Sequence, residues 1–65
     1  MSKKQAQTVF HRGSILAAAE RLFAEKGIEG TTMDDIAREA EYSKATLYVY
    51  FQSKEEIINA ILLSS

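Results

Sequence analysis

The chain has no cysteine, no proline and no tryptophan, and its 65 residues include one histidine and three glycines. Without cysteine, neither a disulfide framework nor a Cys/His zinc site can form. His11, the one histidine, has no second histidine or paired acid nearby in sequence, so a solvated or helix-start role is expected of it rather than catalysis or metal binding. Long hydrophobic runs are also lacking. The apolar stretches at 15–19 and 57–63 fall well short of the roughly 20 residues that span a bilayer. The opening Met1-Ser2-Lys3-Lys4 runs into Gln5, Gln7 and Thr8 instead of the apolar core of a signal peptide. These absences lead us to expect a cytoplasmic chain with no membrane contact, no metal, no cofactor and no enzymatic activity.

What is present is 46% hydrophobic and 26% charged residues, the composition of a small folded, helical domain. A chain this short has room for one core, which buries only about 60% of the unfolded surface. The net charge of −1 argues against a general nucleic-acid binder, but its distribution is uneven. Residues 1–12 carry +3, 31–42 carry −3 and 43–54 carry +2. Because screening acts over about 8–10 Å, such local basic blocks can still meet phosphates.

Four helices are predicted. Ile15, Ala18, Ala19, Leu22 and Phe23 fall on one helical face, which predicts a first helix over about 11–26, stopped by a left-handed Gly27 with Ile28 folding back. Thr31 or Thr32 can cap a second, short helix carrying Met33, Ile36, Ala37 and Ala40, with Asp34 and Asp35 favoured by the helix dipole. Ser43 opens a third, with only Glu41 and Tyr42 separating it from Ala40. Two short helices joined so tightly have the geometry of a helix-turn-helix. The run 46–51 has high β propensity, yet no second strand exists to pair with it, so it is read as helix. Ser53-x-x-Glu56 is a capping box opening a fourth helix with Ile57, Ile58, Ile61 and Leu62. That helix has apolar residues on more than one stripe and reads as cut short.

Ile15 through Phe23, Gly27, Thr31-Thr32, Ile36-Ala37 and above all Ser43-Lys44-Ala45-Thr46-Leu47-Tyr48-Val49-Tyr50-Phe51 with Ser53-Lys54-Glu55-Glu56 closely resemble the DNA-binding domain of TetR-type transcriptional repressors. The resemblance covers about residues 10–63. It implies an all-α fold: a flexible basic arm at 1–10, a three-helix domain at 11–52 with the helix-turn-helix at about 33–52 and the recognition helix at about 43–51, and at 53–65 the start of a fourth helix leading to an absent domain. That domain would dimerise the protein and bind a small-molecule effector, so the chain is expected to be a piece of a longer homodimeric protein acting on a palindromic operator. Two departures concern the turn. Glu41 stands where the family usually has glycine, at about 1 kcal/mol or more if left-handed, and Tyr42 stands where a small aliphatic is common.

A recognition helix offers its first residues and one face to the major groove. With Leu47, Tyr50 and Phe51 turned inward or sideways, Lys44, Ala45, Thr46, Tyr48 and Val49 are left to face DNA. Lys44 suits guanine acceptors or a phosphate, Ala45 and Thr46 a thymine methyl, and the hydroxyls of Thr46 and Tyr48 bases or backbone. The resemblance further implies that Thr32, Tyr42, Ser43, Tyr50 and Lys54 clamp phosphates, and the free N–H groups at the starts of the second and fourth helices suit an anion. Plainer readings remain for other features. Lys3-Lys4 suits a solvated terminus, the paired acids 34–35 and 55–56 suit helix caps, and 27–30 is a turn. The alternative function is a small helical protein–protein interaction module using the apolar face of the fourth helix.

Overall fold

The computed structural model describes residues 2–64, which form four helices: α1 (Lys3–Lys26), α2 (Met33–Ala40), α3 (Lys44–Tyr50) and α4 (Lys54–Leu63). α1 is the spine, with α2 and α4 packed on it and α3 carried on α2. Ile15, Ala19 and Leu22 from α1 meet Ile36 and Ala37 from α2, Leu47 from α3, Phe51 and Ile57 in one buried cluster. Each of the larger of these side chains contributes about 1.5–3 kcal/mol when fully buried, which is how helices too short to stand alone are held.

α1 starts eight residues before the expected position near His11, so most of the segment read as a flexible arm at 1–10 is helical. The cause is a capping box. The Ser2 hydroxyl accepts from the Gln5 amide at 3.2 Å, and the Gln5 side chain accepts from the Ser2 amide at 2.9 Å. Consequently His11 is not at a helix start. It lies mid-helix and half-buried.

Gly27 ends α1 with φ 78° and ψ 162°, an extended conformation of positive φ rather than the expected left-handed cap, and it is open only to glycine. Ile28 beyond it stays 43% exposed, so the fold-back contact is partial. The loop is closed by Thr31, fully buried, whose hydroxyl donates to the Gly27 carbonyl at 2.8 Å. Gly30 is required for a different reason: a Cβ there would collide with the Lys26 carbonyl oxygen.

Thr32, not Thr31, caps α2, exchanging bonds with Asp35 at 3.0 Å in both directions. At the other end Glu41 is left-handed, φ 62° and ψ 37°, so the turn keeps the geometry that the resemblance associates with glycine although a non-glycine residue stands there. The Tyr42 amide donates to the Ala37 carbonyl and the Glu41 amide to that of Arg38, the paired bonds of a Schellman turn. The β-prone run at 46–51 is helical through Tyr50, and the backbone becomes extended at Phe51. Ser53 caps α4 from the Glu56 amide, but the Glu56 carboxylate accepts from Gln52 instead of Ser53, so only half of the expected box forms.

Candidate nucleic-acid interface

α3 is two turns long and is fixed at its start by Ser43, whose hydroxyl accepts from the Thr46 amide at 3.1 Å and donates to the Thr46 hydroxyl at 2.8 Å. Both oxygens are thus held in place, while the Thr46 proton stays available to a ligand. Leu47 is fully buried on the inner side, whereas Lys44 and Ala45 are exposed and Val49 is 75% exposed. Tyr48 and Tyr50 are half-buried, as is Thr46. The outer side therefore carries a cation, a methyl, a hydroxyl, an aromatic ring and a branched aliphatic, a mixture suited to base edges and thymine methyls.

The candidate phosphate contacts have partners of their own. The Tyr42 hydroxyl lies 2.6 Å from Nδ1 of His11, and the His11 ring stands edge-on to Tyr42 and 6.0 Å from the Tyr50 ring. Two side chains that the resemblance implies as separate clamps thus meet on His11, a residue outside the expected site. Lys54 donates to the carbonyls of Ile28 at 2.7 Å and Thr31 at 3.0 Å, clasping the start of α4 to the loop before α2. An ammonium has three donors, so one remains for a phosphate. Thr32 is exposed at the same loop, but its hydroxyl and amide are both engaged by Asp35.

Acids shape the field around these groups. Asp35 binds Lys26 at 3.1 Å and Arg38 at 2.6 Å, and its pKa falls from 3.8 to about 2. The Thr32 backbone amide is the main cause, followed by Lys26. This carboxylate takes the place an external anion would have at the start of α2. Lys44 pairs with Asp34 at 3.1 Å, and that hydrogen bond and charge raise the lysine pKa. Arg12, outside the predicted site, sits over the Phe51 ring at 4.6 Å from its centroid. Among the described residues there is no group of three or more His, Cys, Asp or Glu able to hold a metal, and no helix long and apolar enough to cross a membrane.

A short capped helix presented on its neighbour through a tight left-handed turn, with one buried and one polar face, defines a helix-turn-helix domain. Residues 15–61 match the family described as bacterial regulatory proteins, tetR family, and the chain belongs to that family as a TetR-type DNA-binding domain. It is 46% identical over 46 residues to the biofilm operon icaADBC HTH-type negative transcriptional regulator IcaR of Staphylococcus epidermidis strain RP62A, a match covering 71% of this chain and 25% of that protein. The IcaR proteins of Staphylococcus aureus strains Newman and COL are 48% identical over 46 residues, with the same shares covered. The chain spans about a quarter of the length of these curated relatives.

Proposed function

We propose that the chain reads one half-site of a palindromic operator in duplex DNA and acts in transcriptional repression, with the outer side of α3 in the major groove. The supporting observation is the division of α3 between a fully buried Leu47 and the exposed Lys44, Ala45 and Val49, held in register by Ser43. Lys44, Ala45, Thr46 and Tyr48 face base edges, and Tyr42, Ser43, Tyr50 and Lys54 hold the backbone, with Thr32 adding only its hydroxyl proton because its amide is engaged by Asp35. Direct readout is modest, because no arginine stands ready for a bidentate guanine contact, and much of the affinity comes from phosphates. The negative regulators among its relatives support the repressive sense. The matched 46 residues make up only 25% of those relatives, which supports a further domain that dimerises the protein and receives a small effector, and the strongly exposed Leu62 and Leu63 at the end of α4 suit a contact with it. In this reading the chain is a binding module and not an enzyme.

Selection of bound sequences from a random duplex pool tests the proposal. A defined half-site should emerge, and in a gel-shift titration log affinity should fall against log salt with a slope near −3 if about three phosphates are neutralised. Lys44→Ala or Thr46→Ala should change the preferred sequence. An unstructured pool, or affinity indifferent to salt, would overturn the reading.

A further inference from the structure

α1 carries two faces. Ile15, Ala18, Ala19 and Leu22 are buried against the rest of the fold. At about 100° per residue the opposite side is formed by Ala6, Val9, Phe10, Gly13, Ala17 and Glu20, all exposed. Val9 is 58% and Phe10 68% exposed, an unusual display of two large apolar side chains on adjacent positions of a polar surface.

Gly13 lies in the middle of this face. Glycine is the poorest helix former after proline, and a Cβ at Gly13 would meet nothing within 4 Å, so neither the helix nor the packing of this chain accounts for it. A glycine inside a helix does permit another backbone or a large side chain to approach closely. The charges along α1 add a direction. Arg21 and Lys26 are engaged by Glu39 and Asp35 of α2, whereas Lys3 at the start of α1 and Glu20 towards its end have no ion pair among the described residues.

We propose that this face is a self-association surface, on which a second copy of the chain lies antiparallel along α1. One register satisfies all three features together. It sets Lys3 opposite Glu20 of the second copy, Ala6 opposite Ala17, and the large Phe10 against the notch at Gly13, each contact occurring twice by symmetry. The paired stretch from Lys3 to Glu20 runs for roughly 27 Å. A strip one helix wide is smaller than the ~1,200 Å² at which stable complexes begin, so the association is weak and becomes populated toward millimolar chain concentration. The surface lies on α1, apart from the candidate DNA-facing side of α3, and does not depend on the functional reading above.

Sedimentation equilibrium and a dilution series of amide NMR spectra on the 65-residue chain test this. Dimers should appear with concentration, and shift changes should concentrate on the exposed positions between 3 and 20. Gly13→Leu fills the notch while improving helix propensity, so it should abolish association with helix content by circular dichroism unchanged or higher. Lys3→Glu and Glu20→Lys should each weaken association severalfold, and the double reversal should restore it. A chain monomeric throughout, association that survives Gly13→Leu, shift changes centred on Leu62 and Leu63, or no restoration in the double reversal would each overturn the proposal.

Discussion

The Tyr42 hydroxyl and Nδ1 of His11 lie 2.6 Å apart across 31 positions of sequence, so the turn of the helix-turn-helix is tied directly to α1. A half-buried pair of this kind contributes about 0.5–1.5 kcal/mol. Tyr42→Phe should lower stability by that amount in urea unfolding, and His11→Phe by a similar amount. In the double variant the two losses should not add, since one bond is removed in either case. Additive losses would mean that the two rings stabilise the fold independently.

The clasp made by Lys54 predicts two separable effects. Lys54→Met keeps the aliphatic stem and removes the ammonium, taking the lysine bond from the Thr31 carbonyl and leaving the Ile28 carbonyl with the Thr31 amide alone. The expected cost is about 1–2 kcal/mol, toward the low side of bonds to charged groups because the lysine is only half-buried. If the third N–H also meets a phosphate, the salt dependence of DNA affinity should become shallower by about 0.9. Stability loss with an unchanged slope would leave Lys54 as a clasp alone.

Glu41 holds the one left-handed conformation found among the described non-glycine residues. Replacement by glycine relieves about 1–2 kcal/mol of steric cost but adds backbone entropy to the unfolded chain. The expected net gain is about 0.5–1 kcal/mol, or a few degrees in Tm for a domain of this size. Glu41→Val should move Tm in the opposite direction, because a β-branched side chain tolerates positive φ least.

The helices that form the core were legible because each combines an apolar period with a local stop or start. Ile15 to Phe23 has its stripe and Gly27, α2 has Thr32 with Asp35, and α4 has Ser53. The start of α1 was harder to see. Ser2-x-x-Gln5 is a capping signal, but behind it Val9 and Phe10 fall on the face turned away from the core, so no buried period announces those first turns. The candidate site was legible as a list of residue types and less so as an arrangement. Residues 43–51 reveal a capped helix with one apolar side, yet the destinations of the Tyr42 hydroxyl and the Lys54 ammonium are set by partners 31 and 26 positions away. Local patterns determine which elements form, while tertiary packing determines which polar groups are already engaged before DNA arrives.

That engagement is strongest at Asp35, which makes the fold's response to acid predictable. Its carboxylate accepts from the Thr32 amide and meets Lys26 and Arg38, and its pKa in the folded chain is about 2 against 3.8. The folded state therefore holds this site deprotonated where the unfolded chain has begun to bind a proton. Stability from Asp35 is fully present above pH 4 and is lost as the pH falls from about 4 toward 2. Asp35→Asn keeps the shape of the cap but cannot titrate. It should be less stable than the parent at pH 7, and the gap should narrow through that same interval, as followed by urea unfolding at a series of pH values. A gap that stays constant down to pH 2 would show that the carboxylate acts by shape and hydrogen bonding alone, with no contribution from its charge.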